Sequence, residues 1–370
     1  MKRRDFLKGA GVGAFAVGAS ALSGCNRDEA GATPAAARSQ ETFEWKMVTT
    51  WPKNFPGMGT SAEKLASLIG EMSGGRLTIR VFGGGELVPA LDVFDTVSQG
   101  GAEMGHGAAY YWKSKSDVFP FFSTVPFGMN AEEMNAWLHY GGGLELWKEA
   151  YAPYGVIPAA AGNTGVQMAG WFNKEINRLE DLRGLKMRIP GLGGEVLQRA
   201  GGTPVNMAGG ELFLAMQTGA LDALEWVGPY NDLAFGLHKV AKYYYYPGWH
   251  EPGTTLEAII NQAAFDKLPA DLQSIVINAC RVVNQDMLNL YTARNHDALQ
   301  TLVKEHGVDV RRLPDDVLER LRGLSEEVVG ELVGNNDFAR RVYDSYGSFR
   351  DQAVQWHDIS ERAYFEVRGG

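Results

Sequence analysis

The chain switches repeatedly between two hydrophobic periods, and that switching constrains its fold more than any other feature. Glu44-Trp-Lys-Met-Val-Thr-Thr50 alternates as a half-buried strand does. Trp51-Pro52 ends it. After a loop through Pro56 and Gly57, residues Leu65, Leu68, Ile69 and Met72 fall at helical spacing. Gly74-Gly75 stops that helix. Leu77-Thr-Ile-Arg-Val-Phe82 alternates again, Gly83-Gly84-Gly85 turns, and Leu91, Phe94 and Val97 mark a second helix. The order strand, helix, strand, helix predicts an α/β domain with a largely parallel sheet.

The pattern continues downstream. Residues 131–150 read as one helix with Met134, Trp137 and Leu138 on a face. Residues 156–161, 166–172 and 254–261 read as strands, and 209–218 as a helix. Pro269 opens a helical pattern that runs past Arg294 toward His306, long enough to bridge two bodies. Two further helical patterns fill residues 315–367, split near Gly334-Asn335-Asn336. The folded part exceeds the roughly 250–300 residues at which single cores divide, so two lobes are expected.

The N-terminus reads as an address. Lys2, Arg3, Arg4 and Lys8 precede an uncharged stretch, Gly9 to Leu22, that is too short to span a bilayer as an ordinary helix. Arg3-Arg4 followed by Asp5-Phe6-Leu7-Lys8 looks like a twin-arginine export signal; a general secretory signal with two basic residues is the alternative. Leu22-Ser23-Gly24-Cys25 looks like a lipobox, so residues 1–24 form the signal and Cys25 is a candidate lipid anchor, with a plain cleavage site as the alternative. Residues 25–42 are rich in Ala, Gly and Ser and read as a flexible tether.

Composition excludes several classes. The net charge is −9, and loss of residues 1–24 makes it −12, which disfavours nucleic acid. The two cysteines, Cys25 and Cys280, allow no disulfide framework and no cysteine zinc site. Cys280 lies in a helical run and reads as a small buried residue. The seven histidines lack metal-ligand spacing, and no Gly-x-Ser-x-Gly elbow is present.

The chemistry concentrates in three segments. In Leu185-Lys-Met-Arg188-Ile, a short strand puts Arg188 opposite the apolar residues, and a turn follows at Pro190 to Gly194. An arginine held at a strand end can grip a carboxylate with two parallel hydrogen bonds. Glu225-Trp226 follows a helical segment directly. Tyr243-Tyr-Tyr-Tyr-Pro247-Gly-Trp-His250-Glu251-Pro-Gly253 carries four tyrosines that must alternate between opposite faces, then a turn that could aim Glu251 into a cleft. A glycosidase acid–base pair from Glu225 and Glu251 is conceivable, but nothing else resembles a sugar hydrolase.

The run Leu179-Glu-Asp-Leu-Arg-Gly-Leu-Lys-Met-Arg188, with Glu211-Leu-Phe-Leu-Ala-Met-Gln217-Thr-Gly219-Ala-Leu-Asp222 after it, resembles the extracytoplasmic solute-binding proteins of tripartite ATP-independent periplasmic (TRAP) transporters, the DctP-like group. Phe213, where the family often has Tyr, and Ala223, where it often has Gly, are mild departures. With Glu225-Trp226 and Glu251, the chain is similar to the subgroup that binds 2-oxo acids and small hydroxy acids. The resemblance implies a two-lobed α/β periplasmic-binding-protein-like fold with a long bridging helix and a C-terminal helical tail. Lobe I would comprise residues 43–165 plus 254–293, and lobe II residues 166–253 plus 294–370. It implies a receptor, not an enzyme, that holds a pyruvate-like monocarboxylate through Arg188 and a bound cation. The cation ligands it implies are the side chains of Gln167, Glu225 and Glu251 and the backbone carbonyl of Trp226. Tyr110, Tyr111 and Asn163 match positions lining the same pocket.

An all-oxygen shell suits a hard cation, and Ca2+ or Na+ fits it equally. The resemblance also implies a TRAP membrane permease as partner, a periplasmic location and a homodimer. The tail residues Val317, Leu318, Leu321, Leu324, Phe338, Val342 and Tyr346 would pack on the second subunit, or on the chain's own lobe if it is a monomer. Two rival readings remain open here: a family member tuned to another organic acid, and a cation-dependent lyase or hydrolase with Glu251 as base.

Overall fold

The computed structural model describes residues 41–334 and 336–369. The export signal and lipobox cysteine lie outside the described residues. In chain order the strands are β1 (Phe43–Thr49), β2 (Leu77–Phe82), β3 (Met104–Gly107), β4 (Val156–Asn163), β5 (Gly170–Phe172), β6 (Lys186–Arg188), β7 (Thr203–Val205), β8 (Ala223–Leu224), β9 (Tyr243–Tyr246), β10 (Thr255–Asn261) and β11 (Asp309–Arg312). They form two sheets, ordered β2-β1-β3-β10-β4 and β11-β9-β5-β8-β6-β7.

Each sheet is mixed. β1, β2 and β3 run parallel, while β10 is antiparallel to both β3 and β4. β6, β7 and β8 run parallel, while β5 is antiparallel to β8 and β9. The helices that connect parallel strands cover the sheet faces, and ligand sites in such sheets lie beyond the carboxyl ends of the strands.

The first sheet buries Met47, Met104 and Ile260 against Leu65 and Ile69 of helix Met58–Met72. The same cluster includes Leu272, Val276 and Cys280 of helix Ala270–Lys304. Cys280 is a buried free thiol, as its helical context predicts, and burial pushes its pKa up to about 12. An aromatic core lies elsewhere in the chain. Phe122 stacks nearly parallel to Trp137 and to Trp147, with centroids 5.8 Å and 5.5 Å away.

The predicted long helix is present, 35 residues from Ala270 to Lys304, with Pro269 at its N-cap. It packs on helix Met58–Met72, on β4 and on helix Pro229–Phe235, and so touches elements associated with both sheets. The single helix predicted over 131–150 divides into Ala131–Tyr140 and Gly143–Tyr151. Gly142 adopts φ 87°, which glycine takes without strain. The strand predicted over 166–172 shortens to β5, because residues 164–168 cross between the sheets, Thr164 and Gln167 bonding to the 248–254 segment and Met168 N–H to the Val227 carbonyl.

The tail comprises helices Asp315–Val333, Asp337–Ile359 and Glu361–Arg368, the last of them separate from the predicted pair. The first packs on helix Gly191–Arg199, and the second on helices Ala131–Tyr140 and Gly143–Tyr151. This corrects one expectation. Val317, Leu321, Leu324, Val342 and Tyr346 are buried in the chain's own core, with Leu318 and Phe338 packed beside them. The Tyr346 hydroxyl accepts from the Met129 backbone N–H at 2.9 Å, and Trp137 Nε1 donates to Ser345 Oγ at 3.1 Å. Among the described residues, the large apolar side chains that the tail leaves exposed are Tyr343, Val354, Trp356, Ile359, Tyr364, Phe365 and Val367.

Candidate functional site

Parallel pairing explains why Arg188 and Glu225 meet. Arg188 is the last residue of β6, and its register partner on β8 is Leu224. The next residue, Glu225, therefore emerges beside it at the carboxyl ends of the strands. Glu225 N–H donates to the Arg188 carbonyl at 3.1 Å. Arg188 Nη1 donates to the Glu225 carbonyl at 2.9 Å and also to its carboxylate Oε1. Arg188 Nε donates to the Met207 carbonyl at 3.1 Å, and Nη2 to the Tyr111 hydroxyl at 3.2 Å. The guanidinium carbon lies 5.1 Å from the Trp226 ring centroid.

Tyr110 and Tyr111 arrive from the other sheet. They follow β3 in the 3-10 segment Ala109–Lys115, and their rings meet edge to face at 4.8 Å. Trp226 closes a third side, edge-on to Trp51 and Phe55.

Gln167 and Glu251 lie on the two segments that cross between the sheets. Those segments bond to each other: Gln167 N–H to the Glu251 carbonyl at 3.1 Å, Gly248 N–H to the Gln167 carbonyl at 2.9 Å, and Thr164 N–H to the Thr254 carbonyl at 3.1 Å. A Cβ on Gly248 would lie 2.3 Å from the Gln167 carbonyl oxygen, so this approach requires glycine. Glu251 Oε2 accepts from Gln167 Nε2 at 2.7 Å and from Thr254 Oγ1 at 2.6 Å. Gln167 Oε1 and Glu225 Oε2 are buried oxygens without a hydrogen-bond partner.

Glu225, His250 and Glu251 each bring a potential metal-ligating atom within 4.8 Å of the others. Arg188, Glu225, His250 and Glu251 are respectively 1%, 0%, 1% and 2% exposed. His250 Nε2 lies 3.4 Å from Glu225 Oε2.

The electrostatics are strained by design of the residue set: two buried carboxylates share one guanidinium. Burial, and then the charge of Glu225, hold the Glu251 carboxyl well above the usual carboxylate range. Burial works against the Arg188 charge more than any single neighbour favours it, but Glu225, Tyr111, Tyr110 and Glu251 together outweigh it and hold the guanidinium above its ordinary value. Burial also raises both phenols, with the Glu251 charge adding to it at Tyr110.

The residues predicted from sequence divide into those that converge and one that does not offer a free polar atom. Arg188, Glu225, Glu251, Gln167, Tyr111 and Trp226 converge through the contacts above, and Tyr110 stacks beside them. Asn163 is fully buried, and its amide is spent within the chain. Nδ2 donates to the Gly253 carbonyl at 3.3 Å and to Thr255 Oγ1 at 3.4 Å, while Oδ1 accepts from Gly165 N–H at 2.8 Å. It shapes the crossing loop that carries Gln167.

Sequence reasoning missed Thr164, Thr254 and Asp232, and left His250 aside. Thr254 sits three residues after Glu251 and caps its carboxylate. Asp232 Oδ1 accepts from Val227 N–H at 3.3 Å and so fixes the Glu225-Trp226-Val227 segment. Its Oδ2 accepts from Trp171 Nε1 at 2.9 Å and Tyr244 OH at 2.7 Å. Burial pushes its pKa to about 7 despite those bonds.

The sequence matches the family described as "Bacterial extracellular solute-binding protein, family 7" (DctP) over residues 47–335. It is 41% identical over 364 residues, 98% of both chains, to a protein of Nostoc sp. named a monocarboxylate 2-oxoacid-binding periplasmic protein. A TRAP periplasmic solute-binding protein of Pseudoalteromonas atlantica T6c, solved with bound sodium and pyruvate, is 44% identical. The likeness covers 88% of this chain and 99% of that one, with a TM-score of 0.86. One from Colwellia psychrerythraea, solved with bound calcium and pyruvate, is also 44% identical, over 88% of this chain and 100% of that one, with a TM-score of 0.86. The chain thus belongs to the DctP family of bacterial extracellular solute-binding proteins, family 7, and is a periplasmic TRAP-type solute receptor, not an enzyme.

Proposed function

We propose that this receptor binds a pyruvate-like 2-oxo or 2-hydroxy monocarboxylate jointly through Arg188 and a bound cation. The observation that carries the reading is the pair of partnerless buried oxygens, Gln167 Oε1 and Glu225 Oε2, on side chains that bond respectively to the buried Glu251 carboxylate and to the buried Arg188 guanidinium. Buried polar atoms are normally satisfied, so two such oxygens beside an excess carboxylate call for a cation. Gln167, Glu225 and Glu251 would hold it with their side chains and Trp226 with its carbonyl. That oxygen set suits Ca2+ or Na+, the two ions named with pyruvate in the similar structures.

The arginine's donors support the pairing with an acid. A guanidinium has about five N–H groups. Met207, the Glu225 carbonyl, the Glu225 carboxylate and Tyr111 engage Nε, both Nη1 hydrogens and one of Nη2. With the Glu225 carboxylate turned to a cation, Arg188 has one N–H on each Nη to offer, the fork that a carboxylate takes bidentately. Tyr110, Tyr111 and Trp226 wall the site, which favours a short organic tail. A member tuned to a larger acid would need those rings displaced.

In this reading residues 43–165 plus 254–293 form one lobe and 166–253 plus 294–370 the other, and they close over ligand about the crossing segments. The division follows the membership of the two sheets, with helix Asp337–Ile359 reaching back onto helices of the first lobe. We further propose export by the twin-arginine route, a lipid anchor at Cys25, delivery to TRAP permease subunits and a homodimer. The exposed Trp356, Ile359, Tyr364, Phe365 and Val367 support a second copy as the cover of the tail.

The test is a thermal-shift and calorimetry panel of pyruvate, lactate, longer 2-oxo acids and aromatic carboxylates, each with Ca2+, Na+ or chelator. A receptor of this kind gains stability with a short acid plus cation and leaves the acid unchanged after long incubation. A stabilising acid of another class, with pyruvate inert, would replace the substrate assignment.

A further inference from the structure

A cavity lies apart from the residues of the Arg188 site. It encloses about 500 Å³ between β4, helix Gly143–Tyr151 and helix Ala270–Lys304. That volume falls within the range of small-molecule pockets, about 300–1,000 Å³. Its walls are mainly apolar, with Leu144, Phe265 and Ile277 among them, and its ionisable lining comprises Lys148, Arg281 and His139, with no carboxylate. Among the described residues neither Lys148 nor Arg281 takes part in an ion pair. In a chain of net charge −9, two uncommitted cations on one apolar cavity are a local reversal of sign.

The two cationic tips are exposed while the floor is not: Lys148 and Arg281 face solvent, and Val156, Ala159 and Ala160 of β4 are buried beneath. Burial, and then the charge of Arg281, lower the His139 pKa, so at neutral pH its imidazole is an uncharged polar group beside the two cations. Glu145 acts on His139 in the opposite sense but does not line the cavity.

We propose that this cavity binds a carboxylate with an unbranched apolar tail, of medium-chain fatty-acid type. The head would sit at Lys148 and Arg281 and the tail against Leu144, Phe265 and Ile277. A 2-oxo acid of the Arg188 site lacks the tail to fill it, and a neutral apolar molecule would leave both cations unused. Long charged side chains with apolar stems suit such a mouth, since the stems extend the wall while the heads meet the anion.

The probe is decanoate, below its micelle threshold, titrated calorimetrically into the full protein with and without saturating pyruvate and Ca2+. One-to-one binding is expected in both conditions. The double variant K148E/R281E should weaken it by about tenfold or more, as expected from two exposed charge contacts. Ala152→Trp, at an exposed residue of the cavity wall, should abolish it by filling the mouth. Pyruvate affinity should stay within about twofold in both variants and reports that they are folded. Absence of decanoate binding, equal affinity for decanol, or unchanged affinity in both variants would overturn the proposal. Failure of pyruvate binding with decanoate binding intact would instead count against the Arg188 reading alone.

Discussion

Gln167 and Glu251 face each other across the two segments that cross between the sheets, and Gln167 Nε2 donates to Glu251 Oε2 at 2.7 Å while Gln167 Oε1 keeps no partner. One amide thus secures a buried carboxylate with its nitrogen and leaves its oxygen free at the same spot. Substituting Gln167→Leu removes both. Cation affinity should fall by more than about tenfold, comparable to the loss of a supporting group in metal sites. Calcium titration followed by intrinsic tryptophan fluorescence checks it, with Trp226 beside the site as a reporter.

Glu251→Gln separates the cation from the fold. The substitution replaces a buried carboxyl, which burial and Glu225 hold far from its ordinary ionisation, by a neutral group of the same shape. The protein without ligand should melt at the same or a higher temperature. The gain in melting temperature on adding Ca2+ should shrink, and pyruvate affinity should fall with it. A calorimetric scan with chelator and one with Ca2+ give both numbers.

Arg188→Lys tests the fork. Lysine keeps the charge but offers a point, not two parallel donors. Loss of a charge-assisted hydrogen bond costs about 1.5–3 kcal/mol, so pyruvate affinity should fall roughly tenfold to a hundredfold. Arg188→Ala should abolish acid binding. It also leaves Glu225 buried without its partner, at a cost of about 3–5 kcal/mol in stability without cation. Urea unfolding with and without Ca2+ measures that part.

Glu257 supplies a pH signature away from the site. This carboxyl on β10 is fully buried and accepts from Trp112 Nε1 at 2.6 Å and Tyr151 OH at 2.8 Å. Burial pushes its pKa from 4.5 to about 7. A raised carboxyl binds its proton more tightly folded than unfolded, so its contribution is intact below about 4.5 and is lost as pH rises toward about 7. The shift corresponds to roughly 3 kcal/mol. Glu257→Gln should flatten the decline of stability over that window, read from urea midpoints at pH 5, 6 and 7.

The tail tests the packing correction. Tyr346→Phe deletes the acceptor of Met129 N–H and should cost about 1–3 kcal/mol for the buried donor it strands. Trp356→Ser with Ile359→Ser changes only exposed side chains. It should leave the unfolding midpoint of the subunit near its original value and shift sedimentation toward monomer.

How much of this was legible in the sequence depends on range. Arg188 was legible because alternation over five residues puts it opposite the apolar face. The 35-residue helix was legible from its proline start and its length. Strands β3, β7, β8 and β11 span only two to four residues and carry no measurable period, so they were not predicted. Glu225 and Glu251 are brought together by pairing of β6 with β8 and by the crossing segments, which no local pattern encodes; the turn residues around Glu251 suggested a cleft, but only family resemblance put both glutamates around one cation. His250 stands beside Glu251 in the sequence, but with no second histidine at metal-ligand spacing the choice between a ligand contact and a structural role stayed open. Thr254 and Thr164 act through hydroxyl bonds in irregular segments, where sequence offers no periodicity, and Asp232 acts from a helix of only seven residues, Pro229–Phe235, too short to show one. The tail's apolar stripe was legible, but a stripe does not say which surface it covers, and here it covers its own chain.

The most direct measurement is a pyruvate titration by calorimetry on protein stripped with chelator, repeated after adding back Ca2+ or Na+. Negligible binding is expected in chelator without sodium, and one-to-one binding once either suitable ion is restored, absent in Arg188→Ala. Equal pyruvate affinity in the stripped and restored protein would contradict it.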